Sequence, residues 1–252
     1  MRTVRRPQRL RQCLQTLAAQ TYREFELVLV DMSEGSMASL IEEMRAGLPT
    51  VRHLRLKSRC SRPVALNRGI KSASGRLITI LDDDNLWEPD HLGNIVGNFN
   101  GADLIYTGVR IQTLTPDGEL IQERTHCLPF DFGRLLKANF IFTVATAFRR
   151  ALWDEVGRYD ERFPVYEDWE FLIRATHHRE VRALNTYSAI SRAFTGDIQL
   201  REHSANEPDE CARCRTALQW KHRHLRNQRV RDFNVRLLAQ WWWQNHFGVL
   251  RA

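Results

Sequence analysis

The chain has 252 residues, 43% of them hydrophobic and 27% charged, a composition typical of one large globular domain or of one domain with an appendage. No stretch approaches the roughly 18 consecutive apolar residues of a membrane-spanning helix, and the amino terminus lacks the apolar core of a signal peptide, so we expect a cytoplasmic protein. Five cysteines, an odd number, do not suggest a secreted disulfide framework.

The formal net charge of +7 is concentrated at one end of the chain. Residues 211–252 contain nine Lys or Arg and a single acid, Asp232, so that this tail carries about +8. The residues before it are therefore close to neutral. Nucleic-acid binding would fit the charge of the tail, but we do not expect it because no known reader motif is present.

The first part of the chain alternates between helical and extended patterns. An amphipathic helix is predicted over residues 7–20, with a proline in its first turn. The apolar run 25–30, which ends at Asp31, predicts a strand that is covered on both faces. A helix over 36–46, a strand over 51–56 and a helix over 62–73 follow. This alternation predicts an α/β sheet whose ligands bind beyond the carboxyl ends of its strands.

The next strand, residues 77–81, ends in three adjacent acids, Asp82, Asp83 and Asp84. Adjacent carboxylates at the end of a buried strand repel one another unless positive charge lies among them. A divalent cation supplies that charge, because hard oxygen ligands suit magnesium and manganese, which then hold substrate phosphates. The alternative is an acidic loop that caps a helix beginning near Pro89.

The second part of the chain predicts a hairpin, mixed short elements and a basic tail. Strands are predicted over 104–111, 119–124, 140–148, 181–184 and 187–194, and helices over 130–137, 151–156 and from 167 onward. Two basic helical segments, about 210–226 and 230–246, follow a polar break. We expect one domain over residues 1–200 and a basic, Trp-rich helical extension over 201–252.

The basic tail, which includes Trp241, Trp242 and Trp243, has three interpretations. It could dock on an anionic membrane surface. It could contact a partner chain or a second subunit as a homo-oligomer. It could also pack back on the domain that precedes it, with its arginines in solvent.

Five stretches resemble the inverting nucleotide-sugar glycosyltransferases of family 2, which share the GT-A fold. They lie in the family's order over most of residues 1–195. They are residues 3–7, 17–22 leading into 25–31, 62–70, 75–85 and 165–170. The resemblance implies a Rossmann-like α/β domain with a mixed sheet, and transfer of a sugar from a nucleoside-diphosphate sugar.

The resemblance also implies roles for two groups of acids. Asp84 matches the family's metal-contacting aspartate, which holds Mg²⁺ or Mn²⁺ at the diphosphate. Asp83 matches the companion that contacts the sugar or ribose, and Asp82 could share either role. In the pair Glu167–Asp168, Asp168 occupies the position of the carboxylate that takes the proton of the acceptor hydroxyl.

Three more residues are implied in binding the nucleotide. Arg62 matches a position that reaches the nucleotide, and Thr3 matches the hydroxyl residue after the first strand. The family usually has a second acid after the strand that ends at Asp31, but Met32 stands there, so either Asp31 replaces it or the base is held differently. The implied donor is a UDP-sugar. The implied acceptor is a hydroxyl of a lipid-linked molecule or a glycan, at the inner face of the membrane.

Two departures from the family support alternatives. The family's opening strand is expected to be missing, because residues 1–4 are too short for one of ordinary length. The tail lacks the QxxRW signature of processive synthases, so single-sugar transfer is favoured. A degenerate, non-catalytic protein that binds a sugar nucleotide or a partner is the main alternative. A nucleotidyltransferase is disfavoured, because no glycine-rich basic loop follows the first strand.

Overall fold

The computed structural model describes residues 1–4, 6–33, 37–56, 60–195 and 208–226. The helices are α1 (Pro7–Ala18), α2 (Ala38–Met44), α3 (Arg62–Ser72), α4 (His91–Asn98), α5 (Phe132–Leu135), α6 (Arg150–Glu155), α7 (Glu167–Thr176), α8 (Pro208–Lys221) and α9 (Arg223–Arg226). The strands are β1 (Arg2–Thr3), β2 (Glu26–Asp31), β3 (Thr50–Arg55), β4 (Leu77–Thr79), β5 (Leu86–Trp87), β6 (Leu104–Leu114), β7 (Leu120–His126), β8 (Thr146–Arg149) and β9 (Val181–Phe194). The predicted helix over 230–246 lies outside the described residues.

The strands form two sheets that meet at the predicted acidic cluster. Three parallel strands lie in the order β1-β2-β3, and a six-stranded mixed sheet has the order β4-β8-β6-β9-β5 with β7 paired to β6. In the second sheet β6 and β9 are parallel, whereas the other pairs are antiparallel. A parallel bridge between Arg2 and Asp82 joins the two sheets. The mixed sheet predicted from the sequence is therefore confirmed.

The prediction that the opening strand is missing is wrong. Arg2 pairs with Val30 and Thr3 with Asp31, so a two-residue strand is present beside β2. Because β1 is so short, it reaches only the carboxyl-terminal end of β2. Residues of β2 and β4 line a cavity of about 760 Å³ beyond it, with Leu27 among its apolar walls. The short strand nevertheless places Arg2 and Thr3 beside the acids.

Two further strand predictions need correction. The apolar run 140–148 is extended only over β8, and Thr143–Ala145 forms a 3-10 turn before it. The Thr146 hydroxyl donates to the carbonyl of Phe142 at 2.8 Å, which stabilises that turn. The two strands predicted over 181–194 are one, β9, which bulges where it passes Gly108 of β6. A Cβ at Gly108 would lie 2.8 Å from the Tyr187 ring, so the close approach there requires glycine.

The core holds the sheets and helices together on both sides of the site. One cluster joins α1, α2 and β2 to Trp87, and a second joins α6, α7 and β8. The second also contains Cys214 and Leu218 of α8, so the described part of the tail packs on the domain. The domain boundary near residue 200 stays a prediction. None of the described helices is long and apolar enough to cross a membrane.

Candidate active site

Three acids follow β4, and each has a different partner near the amino terminus. The guanidinium of Arg2 donates to both carboxylate oxygens of Asp82, at 2.7 and 2.9 Å. The Thr3 hydroxyl donates to Asp83 at 2.7 Å. Beyond β1, Arg6 pairs with Asp84 at 2.8 Å. The partners lie on β1 and on the residues after it, because the parallel bridge between Arg2 and Asp82 sets the two segments side by side.

The three carboxylates differ in how well their charge is compensated. Burial opposes ionisation of Asp82, but Arg2 holds the pKa of that carboxyl well below its usual range. Burial, opposed by the Thr3 hydrogen bond and reinforced by the charge of Asp84, raises the pKa of Asp83 to about 6. Burial and the charge of Asp82 also raise the pKa of Asp84. Two of the three acids would therefore gain from additional positive charge.

A further arginine reaches the cluster from β9. The Arg192 guanidinium donates to the carbonyl oxygen of Asp84 and, at 2.8 Å, to the side chain of Gln12. Its Nη2 atom is buried and has no hydrogen-bond partner within the described part of the chain. A buried donor without an acceptor is costly, so this atom is available to an anion that binds beside Asp84.

The second acidic pair lies at the start of α7. The Asp168 carboxylate accepts hydrogen bonds from Asn139 and Thr143, each at 3.2 Å, and from the backbone N–H of Trp169 at 2.7 Å. Burial raises the pKa of Asp168, although these donors oppose the increase. Tyr166 precedes the pair with φ 63°, a left-handed conformation that is rare for a large side chain. Such strain is commonly found at functional sites.

Arg62 connects the two groups of acids. Its guanidinium lies 3.9 Å from the carboxylate of Glu167. Burial and the neighbouring Asp168 charge raise the pKa of Glu167 to about 7, and Arg62 and Arg2 oppose that increase. The same two arginines lower the pKa of Asp82. Both acidic groups therefore lie close enough to Arg2 and Arg62 to share their positive charge.

The structure brings most of the predicted site residues together. This set comprises Thr3, Arg62, Asp82, Asp83, Asp84, Glu167 and Asp168. Asp31 is the exception, because its fully buried carboxylate accepts from the backbone N–H of Ser33 at 2.9 Å and of Met37 at 3.2 Å. His53 Nε2 lies 3.1 Å from the same carboxylate. In this structure Asp31 binds the backbone of Ser33 and Met37, and its role toward a base stays a prediction.

Sequence reasoning missed five polar residues of the site. They are Arg2, Arg6, Asn139, Thr143 and Arg192. Pairing an acidic strand end with the basic run at residues 2–6 could have found the first two. The other three stand in apolar or β-branched surroundings and give no local signal, since only the tertiary fold brings them to the acids.

The fold is the GT-A fold. The sequence profile described as Glycosyl transferase family 2 matches residues 1–157, more than half of the chain. The chain therefore belongs to glycosyltransferase family 2. It resembles a Mycobacterium bovis (strain BCG / Pasteur 1173P2) protein named PGL/p-HBAD biosynthesis glycosyltransferase, with 33% identity over 172 residues. That match covers 64% of this chain and 62% of the relative, so the chain spans less than two thirds of its length.

Solved structures show the same fold. S. aureus TarS superimposes with a TM-score of 0.66 at 16% identity, over 99% of this chain and 43% of that one. TarS has also been solved in complex with UDP. The mannosyltransferase PcManGT from Pyrobaculum calidifontis, in complex with GDP-Man and Mn²⁺, has a TM-score of 0.59 at 16% identity, over 93% of this chain and 64% of that one. At these identities the likeness establishes the GT-A fold alone.

The donor set around Asp84 fits a divalent cation that is shared with phosphate. Within the described ranges there is no group of three or more side chains that could enclose a metal by themselves. Magnesium in phosphate sites is held by one or two carboxylates, with substrate oxygens and water completing its shell. Asp84 keeps 18% of its side chain exposed and has a raised pKa, as a carboxylate in such a site would before a cation binds.

Proposed function

We propose that this chain is an inverting glycosyltransferase that moves a single sugar from a nucleoside-diphosphate sugar to an acceptor hydroxyl. The observation that carries the proposal is that two acidic groups, one after β4 and one at the start of α7, share the positive charges of Arg2 and Arg62. One group lies beside arginine donors and suits a diphosphate. The other contains a buried carboxylate, Asp168, whose pKa is raised by burial, and suits proton transfer.

On the donor side, Asp84 would hold Mg²⁺ or Mn²⁺, with Asp83 at the sugar or ribose and Asp82 beside them. When bound, the cation offsets the charge that develops on the leaving diphosphate. The Nη2 atom of Arg192, which has no hydrogen-bond partner among the described residues, would donate to a phosphate oxygen on the same side. Thr3 fixes the orientation of Asp83, and Arg62 reaches toward the nucleotide. The Mn²⁺ in the PcManGT complex supports this arrangement.

On the acceptor side, Asp168 acts as the general base. Its carboxylate takes the proton of the acceptor hydroxyl as that oxygen forms a bond to the anomeric carbon. The bond from the anomeric carbon to the diphosphate oxygen breaks on the opposite face, so the configuration inverts. Asn139 and Thr143 orient the carboxylate, and the raised pKa of Asp168 brings it nearer the working pH.

We propose a UDP-sugar as the donor, and the cytoplasmic face of the membrane as the place of reaction. Complexes of TarS with UDP and UDP-GlcNAc support this donor. The basic tail favours an acceptor hydroxyl on a lipid-linked molecule or glycan, reached from the cytoplasm at the inner face of the membrane.

The proposal is tested by incubating the purified protein with UDP- and GDP-sugars, Mn²⁺ and a set of acceptor hydroxyls that includes a soluble glycan and a lipid-linked glycan. We expect release of UDP from one donor, measured by chromatography, and a product of inverted anomeric configuration by NMR. Calorimetry on the same samples reports binding. Binding without release would identify a non-catalytic protein, and absence of binding to every nucleotide sugar would contradict the proposal.

A further inference from the structure

The described end of the basic tail lies against the helix that carries the acidic pair. Leu218 and Cys214 of α8 are 1% and 8% exposed. They belong to the same core cluster as Trp169 and Phe171 of α7. The contact is therefore part of the hydrophobic core beneath the acids, and not a loose surface contact.

A buried ion-pair cluster fastens α8 to α7. Glu170 is fully buried, two positions after Asp168, and its carboxylate lies 2.6 Å from Lys221 Nζ and 3.3 Å from His222 Nε2. Arg174 also donates to it at 2.7 Å. Burial opposes ionisation, but these donors lower the pKa of Glu170 to about 2. Removing one cationic partner would leave a buried charge poorly compensated.

Lys221 also holds the chain that leads into α7. Its Nζ lies 2.8 Å from Asp160 and 5.4 Å from the centre of the Phe163 ring. One ammonium group therefore joins both ends of the segment 160–170. The strained Tyr166 lies inside this segment, and a strained conformation persists only where its surroundings hold it.

We propose that Lys221 and His222 are positioning residues, which hold the segment 160–170 so that Asp168 stays oriented toward the acceptor. The inference rests on the proposed function of Asp168. It adds that residues beyond the predicted boundary near residue 200 belong to the catalytic unit, although they touch neither donor nor acceptor.

Kinetics of Lys221→Met test this role. We expect kcat to fall at least tenfold, whereas KM for the donor sugar stays within about twofold, because the acids after β4 are untouched. Lys221→Arg restores a cation and should recover at least half of the wild-type kcat. The control is Arg223→Met, which removes the same charge from a residue whose described contacts are confined to Trp220 and which should leave kcat within about twofold.

Hydrogen exchange tests the same role without any activity. In folded Lys221→Met, the amides of residues 164–170 should exchange about tenfold faster than in the wild type, with no change in Arg223→Met. Unchanged exchange and unchanged kcat, or an equal effect of the control, would overturn the inference. If Lys221→Met does not fold, His222→Phe is measured in the same way. If the wild type transfers no sugar, the proposed function fails, but the exchange experiment still decides whether α8 holds this segment.

Discussion

The two acidic groups of the site are compensated in different ways. Asp82 and Asp84 each pair with an arginine, so the group after β4 is built among permanent positive charges. Asp168 instead accepts hydrogen bonds from the neutral side chains of Asn139 and Thr143 and lies in the first turn of a helix. Permanent charges suit the binding of a polyanion and its cation. Neutral donors leave a carboxylate able to accept a proton, as the proposed role of Asp168 requires.

The largest effect is expected from Asp168→Asn. The amide keeps the shape of the side chain but cannot accept the proton, and its NH2 group cannot accept the hydrogen bonds that one carboxylate oxygen accepted. We therefore expect kcat to fall about 10³-fold, within the usual gain from general-base catalysis. Because the folded pKa of Asp168 is raised, the wild-type rate should also decline as the pH falls through that pKa. Both effects are measured by steady-state kinetics between pH 5 and 9, in steps of about half a pH unit. The exposed Asp117→Asn serves as the control, and wild-type turnover in Asp168→Asn would remove Asp168 from its role.

A smaller effect is expected from Asp84→Asn. Losing one of few carboxylate ligands should lower kcat/KM about 10²-fold at low Mn²⁺, and additional Mn²⁺ should recover part of the loss. The fold should be retained, because the ion pair with Arg6 keeps solvent contact and contributes about 1 kcal/mol or less. The measurement is a Mn²⁺ titration of initial rates. Identical activation curves for the two proteins would exclude Asp84 as the metal ligand.

The smallest effect concerns the free energy of unfolding and its dependence on the pH through Glu167. Between pH 4.5, the usual value for glutamate, and about 7, the folded state binds more protons at Glu167 than the unfolded state does. The free energy of unfolding should therefore decrease as the pH rises through this window, by roughly 1–3 kcal/mol from this carboxyl. Glu167→Gln should lack that decrease in urea unfolding at pH 4.5 and 8. The exposed Glu119→Gln should follow the wild type, and the same pH slope in Glu167→Gln would show that Glu167 is not destabilised as an anion.

Local patterns predicted the acids but not their surroundings. The run into Asp82–Asp84 and the start of α7 are visible because a change in hydrophobicity marks each element end. Thr143 was predicted to lie in a strand and Asn139 directly before it, because apolar, β-branched residues surround them. The segment turns instead, and the hydrogen bonds that turn it involve side chains, which a local pattern does not reveal.

The amino terminus shows a second limit of sequence reasoning. Residues 1–4 were expected to supply no strand, because two extended residues have no period to detect. Pairing with β2 and the ion pair between Arg2 and Asp82 stabilise this two-residue strand. The role of Arg2 is therefore set by a residue 80 positions away.

That separation has a consequence for how the protein is made. The contacts of Arg2 with Asp82 and of Thr3 with Asp83 each close a loop of 80 residues. During synthesis Arg2 and Thr3 therefore cannot contact Asp82 and Asp83 until β4 and the acids after it have left the ribosome. Contacts of such long range form late in folding, because the chain loses the entropy of closing the loop before the contacts stabilise it. The acidic group after β4 thus gains its partners on β1 only after the two sheets have met, so a nascent chain forms its separate sheets before Asp82 and Asp83 are compensated.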